Sequence, residues 1–164
     1  MTRSQSITNI VKGQDRSKSL PDSLRLQLNC AHYISRVLNR LNLTLAEKLR
    51  DFDITVQHHR VLQILFSGDG ITIGQLAQRM VVTLPVLSRI LNQMQDRELI
   101  ERRANPADAR YTHIYMTSRG VKMYKTAAPL AHPIIDHAIS DLSEKEVTQF
   151  LGFLQRIDRR INEV

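Results

Sequence analysis

The chain has 164 residues, enough for one domain or one domain with an extension. A hydrophobic content of 42% can fill a core, but aromatics are only 5% and Trp is absent, so aliphatic side chains must do the packing. With 23 Lys and Arg against 16 Asp and Glu the net charge is +7, which favours a polyanionic partner without choosing between nucleic acid and membrane.

The single cysteine, Cys30, excludes an internal disulfide framework and fits a reducing compartment. No apolar run approaches the ~18 residues of a membrane span. Residues 1–19 lack the continuous apolar segment of a secretory signal. A soluble, cytoplasmic protein that does not engage a membrane is expected.

In chain order, residues 1–19 are polar, basic and aperiodic, and read as a mobile arm. Ser19 and Pro21 signal a helix start. Leu24, Leu28, Ala31, Ile34, Leu38, Leu41, Leu45 and Leu49 then recur at steps of three and four, predicting about 30 residues of helix. A helix of that length has apolar surface that one small domain cannot cover, so packing against a second subunit is expected. Cys30, among Leu28, Ala31 and Ile34, reads as a core side chain. Thr55 is the expected N-cap of a second helix with Val61, Leu62, Leu65 and Phe66 inward, stopped by Ser67-Gly-Asp-Gly70.

Thr72 caps a short helix from Ile73 to Met80, with Leu76, Ala77 and Met80 inward, and Val81-Val82-Thr83 forms the turn into the next. That next helix has Leu87, Ile90, Leu91 and Met94 on one face. Thr83 is its expected cap, and Pro85 is tolerated in its first turn. Its opposite face offers Pro85, Val86, Ser88, Arg89, Asn92 and Gln93, with no carboxylate before Asp96. Strands are expected over 100–103 and 111–116, the second with period two, bracketing the tip Asn105-Pro-Ala-Asp108. Residues 72–120 hold seven arginines against four acids, whereas 121–164 is balanced at six against six. Two short helices joined by a tight turn, followed by a basic hairpin, read as a winged helix-turn-helix.

Thr117 caps a further helix running to about His132, with a kink expected at Pro133. Ser143 and Glu146 form a capping box for the last helix. That helix carries Val147, Phe150, Leu151, Leu154, Ile157 and Ile161 as one stripe. The expected fold class is mainly α (α+β). A winged helix-turn-helix DNA-binding domain occupies residues 54–120, and long N- and C-terminal dimerisation helices lie within 20–53 and 121–164.

With these residues in place, the chain resembles the MarR family of transcriptional regulators over roughly residues 22–162. The most specific match is the wing. Asp108, Arg110, Met116, Thr117 and Gly120 fall at the family's spacing of Asp-x-Arg, five residues, an aliphatic, Thr, x, x, Gly. His59 stands where the family often has an aromatic, and Glu98 where it usually has Gly before Leu99. The resemblance implies a homodimeric DNA-binding protein, in the family's usual mode a repressor, whose affinity is lowered by a small, often aromatic, acidic ligand.

In that reading Arg89 contacts a base edge or phosphate in the major groove, since Arg can pair both acceptors of guanine. Thr83, Ser88, Asn92 and Gln93 are further polar candidates, with Pro85 and Val86 near thymine methyls. Arg110 resembles the family's minor-groove Arg. Asp108 would be repelled by phosphates, so it is expected to brace the tip against Arg102, Arg103 or Arg110. Two copies would read a pseudo-palindromic site with half-sites about 34–36 Å apart.

By analogy with relatives, His32, Arg36, His58 and His59 would border an effector cleft, where Arg36 or a protonated histidine could hold a carboxylate. Six histidines invite a metal sensor, but no pair has the i, i+4 spacing of a helical zinc site. Thiol sensing through Cys30 has no cation on the same face to support it. No cofactor is implied, and no phosphate loop, nucleophile elbow or His-Glu-x-x-His motif suggests an enzyme. A winged-helix protein-docking module without specific DNA binding is the remaining rival.

Overall fold

The structure, a computed structural model, describes residues 21–105 and 108–163; at residues 105 and 108–110 it describes strand backbone alone, not side chains. The arm expected at 1–19 lies outside the described residues. The chain divides into two units, one up to Arg40 and the other from Leu41 onward.

The elements follow the apolar periodicity closely. Helix α1 spans Asp22–Leu49, and a 3-10 turn follows at Arg50–Phe52. Next come α2 (Val56–Ser67), β1 (Ile71–Thr72), α3 (Ile73–Met80) and α4 (Leu84–Asp96). The chain continues through β2 (Ile100–Asn105), β3 (Asp108–Met116), α5 (Ser118–Ala138) and α6 (Glu144–Asn162). In the first unit, α1 presents Leu26, Leu28, Tyr33 and Val37 to solvent, and Cys30 is exposed rather than core. Of the stripe that suggested burial, Leu24, Leu28, Ile34 and Leu38 are exposed among the described residues, whereas Leu45 packs on the core and Leu49 is buried. No described helix is long and apolar enough to cross a membrane.

In the second unit the core gathers one face of each element from the end of α1 to α5, apart from the 3-10 turn, and α6 adds no buried residue. Leu49 from the end of α1, Val61, Leu62 and Leu65 from α2, and Leu76 from α3 meet Leu87, Leu91 and Met94 from α4. Leu99, Ile100, Ile114 and Ala127 complete it. Threonine or serine side chains fix the starts of four helices. Thr55 accepts from His58 N–H (3.1 Å), Thr72 from Gln75 N–H (3.2 Å), Thr117 from Gly120 N–H (3.0 Å) and Ser143 from Glu146 N–H (3.4 Å). The box expected from Ser143 and Glu146 is closed by the Glu146 carboxylate, which accepts from the Ser143 N–H at 2.9 Å.

Four expectations need correction. The sheet has three antiparallel strands in the order β1-β3-β2, because Ile71 and Thr72 pair with Ile114 and His113. The hairpin strands are longer than expected, with Ile100 opposite Met116 and Arg102 opposite Ile114. Thr83 occupies the N-cap of α4, but its hydroxyl makes no cap bond. Pro85, in the first turn, has no N–H to give, so one ordinary donor to the Thr83 hydroxyl is missing. Finally, α5 does not end near His132 but continues through Pro129 and Pro133 to Ala138. The two prolines are four residues apart, so both missing donors lie on one side of the helix, where bending can absorb them.

Both helices of the central pair end by the same device. At α4, Glu98 N–H donates to Gln95 C=O (2.8 Å) and Leu99 N–H to Met94 C=O (2.9 Å), with Glu98 left-handed at φ 56°. At α3, Val81 N–H donates to Gln78 C=O (3.2 Å) and Val82 N–H to Ala77 C=O (3.1 Å), with Val81 at φ 54°. This is the Schellman pattern, which favours glycine at the left-handed residue. Glu98 holds it without glycine while its carboxylate pairs with Arg119 at 3.1 Å. The end of α4 is therefore preserved despite the departure at Glu98.

Candidate nucleic-acid interface

The α4 face opposite Leu87, Leu91 and Met94 is exposed at Thr83, Pro85, Val86, Ser88, Arg89, Asn92 and Gln93. Arg89 and Ser88 have no hydrogen-bond or ion-pair partner among the described residues, and Thr83 makes no side-chain cap bond. An exposed guanidinium with no carboxylate to satisfy it keeps its full donor fork for an outside anion.

Asn92 and Gln93, expected alongside Arg89, are already engaged within the fold. Arg102 on β2 donates to Asn92 Oδ1 at 2.8 Å, tying the wing strand to α4. Gln93 Oε1 lies 3.3 Å from His58 Nε2, tying α2 to α4. Each amide keeps its NH2 group available, so both side chains position α4 and retain a donor.

On the wing, the described partners of the bracing arginines are not Asp108. Arg102 bonds Asn92, whereas Arg103 pairs with Glu101 and lies 4.6 Å over the Tyr115 ring. The side chains of Asp108 and Arg110 lie outside the described residues. Their strand backbone is described, with Asn105 opposite Asp108.

Three connections that place this face were not singled out from the sequence. Arg97, just past α4, bonds the carbonyls of Asp53 and Phe52 and pairs with Asp53 Oδ2 at 3.3 Å. Asp69 accepts the Met116 N–H at 2.9 Å, holding the β1 loop against β3. His58 serves as the third residue of a capping box on Thr55, a role usually taken by Glu or Gln. The spacing was visible in the last case, but the residue type hid it.

His58 and His59 are both buried, at 5% and 4% exposure, and His32 and Arg36 are exposed on α1. Burial holds both buried imidazoles below their ordinary value of 6.5. For His58 the neighbouring Arg97 adds to this while the Gln93 bond opposes it; for His59 the charges of His132 and Arg60 add to it. His59 Nε2 has no hydrogen-bond partner among the described residues, and its ring sits 5.8 Å from that of Tyr124.

A group whose folded pKa is depressed binds its proton more readily in the unfolded chain. The stability from these two neutral histidines is therefore complete above about pH 6.5 and is lost as pH falls below it toward the folded values. Urea midpoints measured from pH 8 to pH 5 should fall as the pH falls below about 6.5. Substituting His58→Gln and His59→Phe together should flatten that slope, and an unchanged slope would contradict the assignment.

Among the described residues no group of three His, Cys, Asp or Glu side chains is placed to hold a metal ion.

Residues 52–110 match the model of the MarR family. The chain is 23% identical over 124 residues to the HTH-type transcriptional regulator MhqR of Bacillus subtilis, covering 76% of this chain and 86% of that one. It is 22% identical over 153 residues to the HTH-type transcriptional repressor IacR of Pseudomonas putida, covering 93% and 87%. Its fold matches a mutant MarR from E. coli complexed with operator DNA, with TM-score 0.74, 23% identity and coverage of 84% and 99%. These relatives are regulators, not enzymes. With a helix pair closed by two Schellman turns, a three-stranded wing and this family match over residues 52–110, the chain is similar over its centre to the MarR family of winged helix-turn-helix transcriptional regulators.

Proposed function

We propose that the protein is a homodimeric repressor that binds a pseudo-palindromic operator and is released by a small aromatic acid. The observation that carries DNA binding is the exposed α4 face, where Arg89 and Ser88 stand unpartnered with no acid before Asp96. A repressor is among the chain's relatives, and a fold neighbour is a complex with operator DNA.

Dimerisation through the end segments, 20–53 and 121–164, is supported by apolar side chains that are exposed among the described residues. Leu28, Val37 and Leu43 are exposed on α1; Phe150, Leu151, Phe153 and Ile157 are exposed on α6. Two copies of α4 would then address successive major-groove faces about 34–36 Å apart. Arg110 would probe the minor groove between wing and phosphate backbone, with Asp108 as the brace of the tip. For the effector, exposed His32 and Arg36 are the available carboxylate holders, whereas His58 and His59 lie in the core.

The test begins with selection of bound duplexes from a random library, followed by anisotropy titrations in 50 mM and 200 mM salt. A protein making 6–10 phosphate contacts should lose about 10³–10⁵ in affinity across that range. The selected sites should contain inverted half-sites, sedimentation should give a dimer, and benzoate should weaken binding. No specific duplex binding even at low salt would replace this reading with a protein-docking module.

A further inference from the structure

The turn between α3 and α4 is built around a side chain that the fold itself does not use. Val81 sits at φ 54°, where a β-branched residue is an outlier and glycine would hold the same turn without strain. The other non-glycine residues at positive φ among those described, Asp53 and Glu98, pair with Arg97 and Arg119. Val81 is instead 86% exposed, so its methyl groups gain almost nothing from packing within the chain.

It does not stand alone. Leu84, Pro85 and Val86, which open α4, are exposed as well. The leading edge of the helix is thus apolar, and the charges along it are all of one sign. Arg79 and Arg89 flank it, exposed and without a partner among the described residues, and no acid occurs between residues 72 and 95. An apolar edge in a purely cationic surround fits a surface that is anionic at its rim and carries methyl groups within. The major groove of DNA is such a surface, where the C5-methyl of thymine is the one apolar group a base presents.

We propose that Val81, together with Leu84, is a specificity determinant that selects thymine in the operator by burying its C5-methyl group. This rests on the operator-binding reading above and adds to it two positions on the turn side of the helix. Uracil has the hydrogen-bonding groups of thymine and lacks only the methyl, so exchanging one for the other isolates the contact.

The experiment uses the full chain and a duplex selected from a random library, with each thymine replaced singly by deoxyuridine. At fixed salt, the wild-type protein should bind about fourfold more weakly at each position whose methyl is buried, the effect of one aliphatic carbon. Val81→Gly should weaken binding to the thymine duplex by a similar factor and make that position indifferent to uracil. Its urea midpoint should not fall, because glycine suits the turn. Leu84→Ala should do the same at a neighbouring thymine.

The proposal is overturned if the wild-type protein binds the duplex specifically yet ignores uracil everywhere. It is also overturned if Val81→Gly weakens thymine and uracil duplexes equally, which would mean that Val81 acts only through the turn. Unchanged DNA binding by Val81→Gly overturns it as well, leaving the edge to a protein partner. Loss of all specific duplex binding by the wild-type chain would remove both this proposal and the function on which it rests.

Discussion

Alanine at position 120 is expected to destabilise the fold by about 3 kcal/mol, from packing conflict and loosened hydrogen bonds together. A Cβ built on Gly120 would lie 2.0 Å from the Leu99 carbonyl oxygen, with the carbonyl carbon at 3.1 Å. That oxygen is backbone, and it already accepts the Thr117 N–H at 3.2 Å, so it cannot swing aside as a side chain would. The start of α5 must lift instead. Lifting loosens the Thr117 hydroxyl from the Glu98 carbonyl, which it reaches at 2.5 Å, and disturbs the Gly120 N–H bond to that hydroxyl.

Alanine's better helix propensity, about 1 kcal/mol, offsets only part of this. A loss of that size is a large share of the 5–15 kcal/mol typical of a folded domain. Gly74→Ala is the control, since nothing lies within 4 Å of its built Cβ. Urea denaturation should show Gly120→Ala strongly shifted and Gly74→Ala unshifted or slightly raised. Equal midpoints would refute the close-approach explanation. The glycine that ends the wing motif is thus required by backbone contact between α5 and the turn after α4.

That motif shows what a sequence makes legible. Asp108, Arg110, Met116, Thr117 and Gly120 give spacing, and spacing is enough to name the wing. Helix positions were legible for a similar reason, because threonine and serine caps and apolar steps of three and four are local signals. The β1 strand was not, since two residues cannot display a period of two. Cys30 was misplaced because an apolar stripe looks the same whether its cover comes from its own chain or from elsewhere.

Asn92 and Gln93 carried no local sign of their partners, which lie 10 and 35 residues away in sequence. They looked as free as Arg89. The left-handed turn at Val81 had no signal at all, since side-chain chemistry argues against a β-branched residue there. Helices were therefore read from the chain, whereas the side chains that stay unpartnered on α4 emerged only from the fold.

The distinction between engaged and unengaged side chains sets the second large expected effect. Arg89→Ala should leave stability within about 0.5 kcal/mol, because the side chain is exposed and touches no described partner. Its effect on operator affinity should be large. Each bidentate Arg–guanine contact contributes about 1–3 kcal/mol, and the proposed two-fold dimer would make it twice, so affinity should fall roughly 30-fold to 10⁴-fold.

Arg89→Lys separates the two ways an arginine can act. Lysine keeps the charge but loses the planar fork, so a base-reading Arg89 should fail with lysine nearly as badly as with alanine. A phosphate-neutralising Arg89 should be largely rescued by lysine. Arg110→Ala provides the contrast, as a groove probe should weaken all sequences about equally and lower the salt slope by about one per site. Titrating these three variants against the selected operator and against duplexes altered one base pair at a time distinguishes the cases. If Arg89→Ala binds every duplex as the wild-type chain does, α4 does not read DNA through Arg89. The unpartnered guanidinium on its exposed face would then be an ordinary solvated charge.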